Sequence, residues 1–201
     1  MAKLKIYTFP DPVLAQKASP IDSIEERHHQ LANDMLETMY DAPGIGLAAN
    51  QVGVLERMIV VDVSYDVEEI EAGANLNDLE ASAADSSLRK LVNKKPLVML
   101  NPRILETEGS IAIEEGCLSV PDYTAEVDRS RKIKVEYKDL DGNTKVMEAE
   151  ELLAICIQHE IDHLNGKLFI DRLSPVKQEL VKKKLRAGKK PMAHSKKSGM
   201  L

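Results

Sequence analysis

Several features are missing from this chain, and each absence narrows the reading. No stretch approaches the roughly 20 apolar residues of a membrane span, and the opening MAKLKIYTFPDPVL carries two lysines without an apolar core or a small-residue cleavage site. Neither a membrane partner nor a secretory leader is expected, and the expected location is the cytoplasm. Only two cysteines occur, Cys117 and Cys156. They exclude a disulfide framework, and in a reducing compartment they point to metal binding or simple packing. No G-x-G-x-x-G or phosphate-loop motif appears, since Gly44-Ile45-Gly46 alone is too short to count, and no internal repeat is visible. Apolar residues are not depleted: hydrophobic residues make up 43% and charged residues 30% of 201 positions, ordinary for one folded domain with or without an appendage.

The net charge of −6 conceals an asymmetry. From Ser174 to Leu201 there are nine Lys/Arg against one acid, Glu179, a surplus of eight that leaves −14 on the remaining chain. Such a tail reads either as solvated, disordered chain or as a surface for an anionic partner such as nucleic acid. Between Asp62 and Asp85 the bias reverses, with eight acids and no Lys or Arg. That segment reads as an insertion or long loop, or as a solvated helical excursion around Leu76 to Leu91.

Ser23 with Glu26 has the form of a capping box, and Ile24, Leu31, Met35 and Met39 recur at helical spacing until Pro43-Gly44, so a helix is predicted from about 24 to 41. Strands are predicted at Met58 to Val63, Leu97 to Leu105 and Thr124 to Tyr137, with Asp141-Gly142 as a hairpin turn before Thr144 to Met147. Residues 150 to 165 form a second helix with Leu152, Leu153, Ile155 and Cys156 on its apolar face and Gly166 just past its end. Ser174-Pro175 opens a third, ending near Gly188, with Leu180, Val181 and Leu185 as an apolar seam and Lys177, Lys182, Lys183, Lys184 and Arg186 as a positive surface. Strands without regular helix alternation indicate an α+β fold: antiparallel sheets packed around a central helix, with a C-terminal helix.

His159-Glu160-Ile161-Asp162-His163 is an H-E-x-x-H sequence on the central helix. Residues at i and i+4 lie one turn apart, so both imidazoles can reach one ion while Glu160 approaches a water beside it. A catalytic site of this kind needs a third protein ligand. Cys156 shares a helical face with both histidines, but its span to His163 is about 10.5 Å of helical rise, too long for a short side chain. Cys117 is the better candidate, in Glu115-Gly116-Cys117-Leu118-Ser119-Val120-Pro121, where Gly116 permits close backbone approach and Pro121 rigidifies the exit.

Three segments in order, GIGLAANQVG (Gly44 to Gly53), EEGCLSVP (Glu114 to Pro121) and QHEIDH (Gln158 to His163), resemble the signature motifs of peptide deformylases. YTFPDPVL near the start, LNPRIL (Leu100 to Leu105) and NGKLFIDRLS (Asn165 to Ser174) resemble the same family. The resemblance implies hydrolysis of the N-terminal formyl group of formyl-methionyl nascent chains, with one divalent metal ion on Cys117, His159 and His163. Fe(II) is implied, with Zn, Ni or Co as replacements in purified material. Glu160 would be the general acid/base, and Gln51 with the Leu118 N–H would bind the formyl oxygen. Gly46 and Gly116 would pair with the substrate backbone, while Leu152, Ile155 and Cys156 would line the pocket for its first side chain. The family usually carries an Arg or aromatic residue a few positions past the cysteine motif, where this chain has Asp122-Tyr123-Thr124. Residues 1–173 are expected to be the catalytic domain, with the acidic insertion at about 65–95, and 174–201 a C-terminal helix and basic tail that contacts the ribosome. A monomer is expected.

Two competing readings remain. An H-E-x-x-H metallopeptidase would use a downstream carboxylate such as Glu179 as third ligand and leaves the GLAANQ and EGCLS segments unexplained. A structural metal site would close with four protein ligands, and the further histidine near the end is His194 in the tail.

Overall fold

The computed structural model describes residues 3–69 and 89–187. Strands β1 (Gly46–Ala48), β2 (Met58–Val61), β3 (Asp66–Glu69), β4 (Arg89–Val92), β5 (Leu97–Glu108), β6 (Ile111–Cys117), β7 (Val120–Arg129), β8 (Lys132–Lys138) and β9 (Thr144–Glu150) combine with helices α1 (Glu26–Asp41), α2 (Glu151–Leu164) and α3 (Pro175–Ala187). Five strands form one antiparallel sheet in the order β1-β2-β5-β8-β9, while β3-β4 and β6-β7 are separate antiparallel pairs. The fold is α+β.

The sheet is covered on both faces. Along β2, Ile59 and Val61 turn toward α2 and pack with Met99, Ile133, Val135, Ala154, Ile157 and Ile161. Met58 and Val60 turn the other way, onto Ala32, Met35 and Met39 of α1. Burial on both faces explains why Met58 to Val63 reads as a continuous apolar run without alternation. A third cluster joins Leu14, Val120, Val127, Phe169, Leu173 and Val181, so α3 docks beside the β6-β7 pair. No helix among the described residues is long and apolar enough to cross a membrane.

Several expectations need correction. The cap of α1 is Glu25, whose N–H donates to His28 Nδ1 at 2.8 Å; His28 takes the place of the acid in the expected Ser23-Glu26 box. Thr124 to Tyr137 is two strands in two different sheets, β7 and β8. The side-chain alternation runs through the break, but the Gln158 amide accepts from Ser130 N–H at 3.0 Å and donates to Ser130 C=O at 2.8 Å, taking both backbone groups out of any ladder. The Leu76 to Leu91 excursion lies outside the described residues except at its end, where Arg89–Val92 is a strand paired with Asp66–Glu69. On α3, Val181 is buried, but Leu180 is 64% exposed, so the seam is Val181 with Leu185. Lys182 is tied to Asp171 at 2.6 Å and leaves the free positive surface. The Gly188 helix end and the rest of the tail lie outside the described residues.

The N-terminal segment is fastened to the sheet by Asn101 in LNPRIL. It sits at φ 52, at a register shift of β5 against β8, where Pro102 is tolerated because the ladder is already interrupted. Its side chain accepts from Ile21 N–H at 2.9 Å and donates to Ile21 C=O at 2.8 Å, as a paired strand would. Asn101→Ala should therefore destabilise the fold by about 1–3 kcal/mol, measured by urea unfolding, with metal stoichiometry unchanged at low denaturant.

Candidate metal centre and active site

α2 has a buried face on the sheet and a second face turned to the β6-β7 hairpin, and His159 and His163 lie on the latter. In β6, Glu115 and Cys117 are two apart, and although the pairing with β7 is irregular between them, both side chains turn to the same side. They meet the two histidines. Cys117 Sγ lies 3.2 Å from His163 Nε2, and the two Nε2 atoms of His159 and His163 are 3.2 Å apart. All three ligand atoms fall within 4.8 Å of one another. Tetrahedral coordination with Zn–S and Zn–N bonds separates such atoms by roughly 3.3–3.6 Å. The one-sulfur, two-nitrogen set therefore fits a single divalent transition-metal ion. Cys156, by contrast, is buried and turns its Sγ to the Ile45 carbonyl at 3.4 Å, outside this cluster.

The histidines are oriented from behind. His159 Nδ1 faces Glu115 Oε2 at 2.9 Å; because a carboxylate only accepts, Nδ1 carries the proton and Nε2 keeps its lone pair for the ion. Glu115 is gripped by Arg129 at 2.6 and 2.8 Å, and Arg129 also reaches Asp162 at 2.5 Å. Arg172 closes the chain with two bonds to Asp162, at 2.5 and 2.7 Å. Burial works against a charge on Glu115, yet Arg129 and His159 outweigh it and hold its carboxyl at about 2. Burial disfavours a charged His159 as well, but Cys117 and Glu115 beside it raise its pKa well above the usual imidazole value. Those two groups make a place for positive charge, which an ion can fill. His163, first through burial and then through His159, is pushed well below the usual value and stays neutral, the form that ligates.

Glu160 turns its carboxyl toward the backbone of Gly46. It is 3% exposed, one carboxyl oxygen has no hydrogen-bond partner among the described residues, and burial pushes its pKa up to about 7. Its Oε1 lies 2.5 Å and Cys156 Sγ 2.7 Å from where a Cβ on Gly46 would stand, so any side chain there would displace both. Gln51 is buried, with its Oε1 accepting from Ala48 N–H at 2.8 Å, which leaves its NH₂ facing the centre. That NH₂ donates to Ser119 Oγ at 3.1 Å and lies 3.7 Å from Cys117 Sγ. Leu118 adjoins Cys117, and its side chain lies 2.8 Å from where a Cβ on Gly44 would stand.

The other expected residues divide. Ile155 and Cys156 are buried beside this group, whereas Leu152, in the first turn of α2, is 43% exposed. A Cβ on Gly116 would meet only Thr124 Cγ2, at an ordinary 3.5 Å, so internal packing does not demand a glycine there. Tyr123 stacks on Phe169, whose other stacking partner is His159, both with centroids 6.2 Å apart. Sequence reasoning passed over Glu115, Arg129, Asp162, Arg172 and Phe169 as site residues. Glu115 carried a signal, its two-residue spacing from Cys117 on a strand; the long-range partners carried none.

Cys117→Ala should abolish stoichiometric metal binding, while Cys156→Ala should retain the ion and change mainly the Michaelis constant for substrate. Elemental analysis of anaerobically purified protein beside steady-state kinetics checks this, and the reverse pattern would move the ligand onto α2.

Comparison with known proteins agrees with this geometry. The family model described as polypeptide deformylase matches residues 3–179. A peptide deformylase of Agrobacterium fabrum is 48% identical over 180 residues, covering 89% of this chain and 92% of that one. One from Stenotrophomonas maltophilia is 45% identical over 196 residues, covering 96% and 100%. Among solved structures, the Ehrlichia chaffeensis peptide deformylase in complex with actinonin superposes with a TM-score of 0.76 at 34% identity, covering 95% of this chain and all of that one. This chain belongs to the polypeptide deformylase family.

Proposed function

We propose that Cys117, His159 and His163 hold one divalent ion and that Glu160, Gln51 and the Leu118 N–H carry out, around it, the family's reaction: hydrolysis of the N-terminal formyl group of formyl-methionyl chains with release of formate. The observation that carries the assignment is the Cys117, His159 and His163 cluster, its ligand atoms within 4.8 Å of one another, with the buried carboxyl of Glu160 on the same helix as both histidines. A bound ion supplies Lewis acidity, lowering the pKa of a water to roughly 7 and polarising the formyl oxygen. Glu160 takes the proton of the attacking water and delivers it to the departing amine, which is otherwise a poor leaving group. The Gln51 amide, preset by Ala48, and the Leu118 N–H donate to the formyl oxygen as it gains negative charge; one such donor contributes about 3 kcal/mol. Gly46 and Gly116 pair with the extended substrate backbone, and main-chain pairing does not read side chains, which suits an enzyme serving many N-termini. Ile155 and Cys156 wall the pocket for the first side chain, with Leu152 at its rim.

We read the ion as Fe(II), the ion implied by the family, although zinc, nickel or cobalt suit the same ligands. The chain acts as a cytoplasmic monomer, with residues 1–173 as the catalytic domain and 174–201 as an appendage whose helix is docked through Val181 and Leu185. The exposed cations on that helix, Lys177, Lys183 and Lys184, with Arg186 placed over the Phe9 ring, suit the phosphate backbone of ribosomal RNA.

The metal-loaded protein should release formate from a formyl-Met peptide and spare its acetylated analogue. Glu160→Gln should keep the ion and lose at least ~10²-fold in kcat. The acidic limb of the wild-type pH–rate profile should lie at or below about 7, because a cation beside Glu160 lowers the value that burial sets. Equal turnover of both peptides, or an active Glu160→Gln, would overturn the assignment.

Charge reversal of Lys183 and Lys184 together leaves the Lys182–Asp171 pair and the Val181 seam intact. That variant should deformylate a free peptide normally yet cosediment poorly with ribosomes at low salt, and wild-type cosedimentation should itself weaken steeply as salt rises. Unchanged cosedimentation would leave the helix a solubilising appendage.

A further inference from the structure

We propose that Tyr65, at the root of the acidic insertion, is a positioning residue that sets the substrate-pairing edge of the site, and that its hydroxyl governs recognition of substrate backbone beyond the formyl-methionyl unit. This rests on the functional reading above. The edge in question is Gly44-Ile45-Gly46, leading into β1, which is the outermost strand of the five-stranded sheet. On its inner side β1 pairs with β2, Gly46 opposite Val61, and the ladder continues one step further with Asp62 N–H donating to Ile45 C=O at 2.9 Å. There the ladder stops, because the chain after Asp62 turns away. Asp62 Oδ1 accepts from Ser64 N–H at 2.9 Å and from Ser64 Oγ at 2.7 Å, closing a tight turn. The carbonyl one residue earlier, that of Gly44, accepts from the Tyr65 hydroxyl at 3.1 Å. A side chain tethers the segment where the ladder has ended.

The surroundings fix that hydroxyl. The Tyr65 ring packs edge-on against Tyr40, centroids 5.1 Å apart, and Tyr40 donates to Asp62 Oδ2 at 2.7 Å. Lys95 N–H, on the returning arm of the insertion, donates to the same oxygen at 2.8 Å. The opposite side of the edge is crowded by the reacting groups: Leu118 against Gly44, and Cys156 with Glu160 against Gly46. Gly44-Ile45-Gly46 is thus wedged between the centre and the 62–65 turn, without side chains on its two glycines to fix its position. Ile45 is 38% exposed, consistent with an outward-facing edge. Releasing the Gly44 carbonyl lets the edge shift away from a paired strand while the ion, Glu160 and Gln51 stay where α2 and the turn before Gly53 hold them. The loss should fall on substrates that extend along the edge and spare one that ends at methionine.

Tyr65→Phe keeps the ring packing on Tyr40 and deletes only the hydroxyl. With the metal-loaded protein, KM for a formyl-Met tripeptide should rise about fivefold, the size of one net hydrogen bond, with kcat within about twofold of wild type. For formyl-methioninamide, which has no strand to pair, kcat/KM should stay within about twofold under the same criterion. A purely structural role would depress both substrates together and lower the melting temperature, and that outcome overturns the proposal, as does an unchanged tripeptide KM. Absence of formate release by the unmodified chain would defeat the underlying functional reading, so the two failures are distinguishable.

Discussion

The candidate metal centre depends on a buried alternation of charge: His159, Glu115, Arg129, Asp162, Arg172. Arg129 is fully buried and sits between two carboxylates. Buried ion pairs of this sort contribute little net stability, because desolvating the charges offsets their attraction, but removing one member leaves an uncompensated charge at a cost of about 3–5 kcal/mol. What the network gains is orientation. Glu115 comes from β6, Arg129 from β7, Asp162 from α2 and Arg172 from the turn before α3, so four separately folded pieces are held in one relation. Cys117 lies two residues from Glu115, and His159 and His163 flank Asp162 on α2. The three candidate ligands inherit their spacing from the network behind them.

That division explains what was legible in the sequence. Local chemistry was: the H-E-x-x-H pattern, the cysteine turn, Gly166 at φ 70 past the end of α2, and the Asp141-Gly142 turn, with Gly142 at φ 84, all follow from periodicity and turn preferences. The α+β class and the C-terminal helix followed from the order of elements. Arg129 was not legible, since one arginine at the end of an alternating stretch looks like any surface cation and its burial is decided by two carboxylates 14 and 33 residues away. The division between β7 and β8 failed for the same reason, because the Gln158 amide that ends the strand sits on α2. β1 escaped notice because three residues give too short a pattern to distinguish from a loop. On α3 the apolar positions were visible but their assignment to inside or outside was not. Leu180 and Val181 are adjacent and both apolar, and only the docking angle on Phe169 and Leu173 decides that Val181 is the one buried.

The glycines of the first motif show how a site can be specified by the absence of side chains. Gly46 leaves room for the Glu160 carboxyl and the Cys156 thiol against the backbone, and Gly44 leaves room for Leu118. An alanine at position 46 would push directly on the group proposed to move protons. Burial of Glu160, and with it the rise of its pKa to about 7, therefore depends partly on a residue that contributes no side chain. Removing side chains from an edge strand also weakens it, since glycine is costly in strands and packs nothing. The tethers from Asp62, Tyr65 and Cys156 to the carbonyls of this segment restore the order that the glycines give up.

The same tethers belong to a wider fastening at the ends of the acidic segment. The chain leaves the sheet at Val61 and returns at Leu97, which pair directly, and the intervening arms meet again as β3 and β4 from Asp66 opposite Val92 to Glu69 opposite Arg89. The turn around Asp62 is locked to the returning arm by the Lys95 N–H bond, and Asn93 Nδ2 donates to Asp66 Oδ2 at 2.8 Å. The two ends of the segment are thus fixed twice over. Tyr65 lies between these two locks, and its hydroxyl reaches the Gly44 carbonyl from there.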